Sequence, residues 1–163
     1  MHLNAMFPIS YLPMKKKFLI SLPFIVVLCF AYTDVGAQEA ARLWLSPTNE
    51  THDVGEVFLV NLYATSLHTP LNSAEGELQF SNGNMELVKI SKEGSIFSLW
   101  IENPPYSNET GIIGFKGGLL SPGFMGAQGK ILSLSFKAIA EGSANIVWKQ
   151  ASVFANDGKA TNI

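Results

Sequence analysis

Cysteine is almost absent from this sequence of 163 residues; the single one, Cys29, lies in an apolar run near the amino terminus. No disulfide can form within one chain, so burial of side chains has to supply the stability. Histidine and aspartate are nearly as scarce. Beyond residue 37 there are only His52, His68, Asp53 and Asp157. The zinc pattern HExxH, a paired CxxC and the nucleophile elbow GxSxG are all missing, and no serine has a recognisable triad partner. Glu75 and Glu77 come closest to a carboxylate pair, but both project outward from one extended segment, with no sign of a cleft to raise a pKa. The chain therefore reads as non-enzymatic, without a cofactor. It also reads as without a metal: Asn156-Asp157-Gly158 is expected to be a turn rather than a calcium loop, and His52 beside Asp53 a solvated pair. Basic clusters are lacking from the same region. Of 11 lysines and arginines, three sit together as Lys15, Lys16 and Lys17, and the others are scattered among more numerous acids. That disfavours nucleic acid as a partner. No segment of ten or more residues repeats its apolar positions with a helical period, so no amphipathic helix is available to lie on a membrane.

What is present begins with a leader. Lys15–Lys17 precede an apolar run over 18–32, and Val35-Gly36-Ala37 places small residues where a signal peptidase needs them. The run contains Pro23 and is shorter than the about 20 residues a spanning helix requires. Cys29 follows Leu28, where a lipoprotein site wants a small residue. The expectation is a signal peptide over 1–37, with Met14 as a plausible start and 1–13 as an upstream extension. Cleavage after Ala37 leaves one domain, 38–163, secreted or held at the cell surface, with no membrane insertion afterwards. A domain of that size buries enough surface to be stable without a staple.

Period-two alternation dominates the rest. Strands are predicted over 41–45, 56–66, 71–80, 86–91, 96–100, 111–116, 130–138, 143–149 and 152–155. In the second, Phe58, Val60, Leu62 and Ala64 share one face. In the third, Ala74, Gly76, Leu78 and Phe80 face in, while Ser73, Glu75, Glu77 and Gln79 face out. Leu132, Leu134, Phe136 and Ala138 oppose Ile131, Ser133, Ser135 and Lys137. A break is expected at Thr69-Pro70, a turn at 81–84 and a glycine-rich crossing over 117–129. About nine short strands with turn signals between them predict an all-β fold, a two-sheet antiparallel β-sandwich.

The aromatic residues allow two readings. Trp100, Tyr106 and Phe124 sit in or beside loops, where they could stack on sugar rings or close one end of the sandwich. Trp148 falls on an inward face, and Trp44 on a face that could be exposed. Two Asn-x-Thr acceptor patterns, at Asn49 and Asn108, lie in predicted loops.

In order along the chain, several segments resemble bacterial cohesin domains. They are Leu45-Ser46-Pro47 followed by Asp53-Val54-Gly55-Glu56-Val57-Phe58, then Asn72 to Phe80, Ile96 to Trp100, Gly111 to Gly118, Pro122-Gly123-Phe124, Gly129 to Leu132, and Ser152 to Gly158. The resemblance spans 41–163. It implies a nine-stranded jelly-roll in a superfamily shared with carbohydrate-binding modules, and a dockerin-like protein module as partner. It places docking on one sheet face made by strands three, five, six and eight. Carried onto this chain, the outward residues are Ser73, Glu75, Glu77 and Gln79, then Ile112, Gly114 and Lys116, then Asn145, Val147 and Lys149. Direct carbohydrate binding, with a polysaccharide as partner, and a structural cell-surface role remain alternatives.

Overall fold

The computed structural model describes residues 40–163; the leader expected over 1–37 lies outside them. The described chain is all-β and antiparallel, with eight strands: β1 (Arg42–Ser46), β2 (Val57–Phe80), β3 (Met85–Ser91), β4 (Leu99–Trp100), β5 (Tyr106–Ser107), β6 (Ile112–Gly118), β7 (Phe124–Ala138) and β8 (Ile146–Ala155). They form one hydrogen-bonded sheet that curls into two layers. β2 belongs to both. Its first half lies between β1 and β7, and β3 pairs with β7 beyond. Its second half lies between β6 and β8, with β4 and β5 along the far edge of β6.

The break expected at Thr69-Pro70 is instead a bend within β2. Pairing with β7 lapses between Ser66 and Leu71, where a proline without an N–H is tolerated. The carbonyl of Pro70 accepts from the Asn156 N–H at 2.7 Å, and the Ser66 hydroxyl donates to the Thr69 carbonyl. Other boundaries differ for similar reasons. Of the expected strand 143–149 only 146–149 is strand, and it runs on through 152–155 as one strand, β8, because a register shift opposite Glu77 and Leu78 absorbs one residue. Only Leu99 and Trp100 of 96–100 are strand. The second part of the glycine-rich crossing is the start of β7. β5 has two residues, too few to alternate.

Alternation filled the core largely as expected. Leu62, Leu78, Ile113, Leu132, Leu134 and Phe136 are completely or almost completely buried. The Phe136 ring lies 5.9 Å from Phe58 and 5.3 Å, edge on, from Phe80. Burying such a ring contributes about 1.5–3 kcal/mol. Ile131 was expected to face out but is fully buried. A register shift between Leu62 and Tyr63 leaves it as the extra residue of a bulge, which re-aims its side chain. Ser133, on the outer side, is also buried; its hydroxyl donates to the Asn61 side-chain carbonyl at 2.7 Å. Gly76 pairs with Phe115 across the second layer, and a Cβ there would come within 2.9 Å of the Phe115 ring. The missing side chain is what admits the ring.

Candidate functional site

The outward face of the second layer is a lattice set by two registers, β2 with β6 and β2 with β8. Ile112, Gln79 and Val147 form one row. Gly114, Glu77 and Gln150 form the next, then Lys116, Glu75 and Ser152, then Gly118, Ser73 and Phe154. Paired residues share a face, so all four rows look the same way. Ser73, Glu75, Glu77, Gln79, Ile112, Gly114 and Lys116 thus lie together as the sequence reading placed them. Val147 joins them, 45 % exposed.

The third strand of the face differs in detail. Asn145 precedes β8: its side-chain oxygen accepts from the Ser81 hydroxyl at 2.8 Å, and its backbone N–H donates to the same hydroxyl oxygen at 3.0 Å. Lys149 is the residue at the register shift, so Gln150 rather than Lys149 stands opposite Glu77. Gln150, Ser152 and Phe154 were missed, because strict alternation counted through one strand cannot register a bulge.

The electrostatics of the face are uneven. Lys116 Nζ lies 2.5 Å from Glu75 Oε2 across the strand pair. Glu77 makes no ion pair among the described residues. Beside it, a shallow hollow of about 370 Å3 runs over Gly114 to Pro105 and Glu102. The Pro105 ring can lie there because a Cβ on Gly114 would meet it at 3.1 Å. At the far row, a more apolar hollow of about 390 Å3 lies among Leu99, Ile101, Gly118 and Phe154.

The aromatic residues are distributed by packing. Trp100 is half-buried against the core, 5.6 Å from Phe97 and beneath Lys92, whose Nζ is 5.4 Å from its ring centroid. Phe124 also packs on the core, its ring against the backbone of Gly126 and Gly129. Tyr106 is 49 % exposed. Trp44 stacks on Tyr63 at 4.6 Å and donates its ring N–H to the Thr65 hydroxyl. Trp148 meets Phe115 edge on at 6.2 Å.

Two carboxylates titrate below their ordinary range. Glu56 accepts from His52 Nδ1 at 3.0 Å and from the Asp53 backbone N–H at 3.0 Å, and both bonds favour its charged form. His52 also stacks on Phe58 at 4.0 Å and faces Glu50, at one end of the sandwich. Asp157 is lowered by the Thr161 hydroxyl and the Lys159 N–H. Those bonds fold 156–158 into the turn expected of it.

No family model matches the sequence, and no curated protein does. Solved structures do. The sixth cohesin of scaffoldin B from Acetivibrio cellulolyticus, solved in complex with a dockerin, superposes with a TM-score of 0.60 over 77 % of this chain and 92 % of that one, at 11 % identity. The fold is that of a cohesin. A cohesin module of a family 33 glycoside hydrolase from Clostridium perfringens gives 0.60 over 76 % and 90 %, at 15 % identity. A type I cohesin from Pseudobacteroides cellulosolvens gives 0.56 over 69 % and 78 %, at 21 % identity. The cohesin-like domain thus has the jelly-roll β-sandwich architecture expected for it, with eight strands among the described residues where nine were expected.

Proposed function

We propose that this protein is a secreted, non-catalytic recognition module that docks a dockerin-like protein module on the outward face of its second layer. The observation that carries the reading is the lattice of that face. It is built on central paired strands, with Ile112 and Val147 flanking Gln79 in one row and polar and charged groups in the next two. An apolar contact beside hydrogen-bonding and charged groups is the composition of a protein interface. The dockerin-bound cohesin of the same fold supports the kind of partner. Ser73, Glu75, Glu77, Gln79, Ile112, Gly114, Lys116 and Val147 are its proposed contacts, joined by Gln150 and Ser152, with Asn145 and Lys149 at its rim.

Export follows from the leader read over 1–37, which predicts a mature amino terminus at Gln38. Mass spectrometry of the exported protein checks it; retention of residues 15–32 would sink it. The decisive experiment for function is a pull-down with dockerin-bearing proteins encoded in the same genome, followed by calorimetry on whichever binds. Failure of every such protein to bind would overturn the reading. Polysaccharide binding rests on the exposed Tyr106 ring alone. Retention on cellulose, chitin or xylan that is lost in Tyr106→Ala would favour it instead.

A further inference from the structure

β2 folds over at its bend, so Phe58 near its start and Phe80 at its close lie at the same end of the sandwich. There a pocket of about 260 Å3 enters between the layers, floored by Leu45, Phe58, Val60, Met85 and Ile146. Val60 and Met85 are buried, so the pocket reaches the core. A recess of this size at the edge of a close-packed interior is the setting in which small molecules bind. The described ends of the chain lie towards the other end of the sandwich. Arg42 pairs with Thr65, and the Ile163 N–H donates to the Val153 carbonyl, both near the bend of β2.

His52 forms one wall of the mouth. Its ring lies flat on Phe58, with centroids 4.0 Å apart, and its side chain is only 15 % exposed. Nδ1 donates to Glu56 Oε1 at 3.0 Å, and Nε2 faces Glu50 Oε2 at 3.4 Å. A neutral imidazole carries one N–H. With that proton on Nδ1, the Nε2 lone pair and the Glu50 carboxylate are two acceptors side by side. Among the described residues no lysine or arginine lines the pocket. We propose that the pocket binds a small organic cation, a primary ammonium carried on an apolar body of about one ring. The ammonium donates to both acceptors, and the body covers the apolar floor. A cavity of about 150 Å3 admits benzene, and sites for drug-sized ligands start at about 300 Å3, so this pocket suits a single ring with its head group. It lies apart from the proposed recognition face and meets it only at Asn145.

The test titrates the full chain with benzylammonium, benzyl alcohol and methylammonium while NMR follows the methyl resonances of Met85 and Ile146. Benzylammonium should shift both and saturate with a Kd of about 1 mM, in keeping with its few atoms. Benzyl alcohol, which lacks the charge, should bind about fivefold more weakly. Methylammonium, which lacks the ring, should not saturate. Glu50→Gln changes an exposed side chain and should leave the melting temperature unchanged. It should erase the preference for the cation while benzyl alcohol binds as before. The inference is overturned by equal binding of the two ring compounds to the wild type, or by a preference that survives Glu50→Gln. Shifts that map to the recognition face and spare Met85, or no saturation at about tenfold higher concentration, would overturn it too. Nuclear Overhauser contacts from residues 1–39 to the Met85 methyl in the free protein would overturn it in favour of the chain's own segment.

Discussion

Asn108 holds the backbone of Leu87 with both groups of its carboxamide. The Leu87 N–H donates to Oδ1 at 2.8 Å, and Nδ2 donates to the Leu87 carbonyl at 3.0 Å. Leu87 sits where the pairing of β3 with β7 shifts register, so a side chain there replaces a missing strand. Asn108→Ala should cost about 1–3 kcal/mol, the penalty for stranding part-buried backbone groups. Urea unfolding reads the loss, and Asn108→Asp, which keeps the acceptor, should fall between.

The same contact separates the two acceptor patterns. Both asparagines are exposed, but a glycan on Asn108 would have to break the Nδ2 bond, whereas the Asn49 side chain makes no hydrogen bond among the described residues. Expressed in a glycosylating host, the protein should carry sugar at Asn49 and not at Asn108. Peptide mapping by mass spectrometry decides it.

Gly76→Ala tests the fit within the second layer. The new methyl would lie 2.9 Å from the Phe115 ring and 3.0 Å from the Gln150 carbonyl oxygen, which is backbone and cannot step aside. A loss of about 1–3 kcal/mol is expected, typical of overpacking. Because Gln150 lies on the proposed recognition face, strain passed to it should weaken partner binding as well.

Acid should remove a contribution made by Glu56. Its folded pKa is depressed, first by the His52 hydrogen bond and then by the Asp53 N–H. A depressed carboxylate stabilises the fold fully above its unfolded value, about 4.3. The contribution is lost as pH falls through the lower folded value. The melting temperatures of wild type and Glu56→Gln should therefore differ near neutrality and converge in acid. A gap that persists at low pH would count against the hydrogen bonds as its source.

Val147→Asp should leave the melting temperature nearly unchanged, since the side chain is exposed, yet weaken partner binding by roughly tenfold, about 1.4 kcal/mol. Glu75→Lys removes a cross-strand ion pair with Lys116 and should act mainly on association rate and salt dependence. Calorimetry and stopped-flow measurements against the partner from the pull-down check both. Unfolding of Val147→Asp would reverse the assignment of the face.

Alternation made much of this legible. The inward sets around Leu62, Leu78, Leu134 and Phe136, and the outward set from Ser73 to Gln79, were readable because each strand is covered on one side only. Bulges were not readable. Ile131 turned inward and Gln150 took the place expected of Lys149, because each bulge is fixed by the partner strand rather than by its own sequence. Trp100 and Phe124 were ambiguous because loop position alone says nothing of what a ring packs against; their neighbours, Gly117, Gly126 and Gly129, supply the space.

β2 also has a mechanical consequence. A partner bound to Ser73, Glu75, Glu77 and Gln79 would grip the same strand whose other half holds β1 and β7 together. Tension from the partner would enter the second layer and pass along covalent backbone, through the bend at Ser66 to Leu71, into the first. The two layers would share the load through one continuous strand, not through the softer contacts between their side chains.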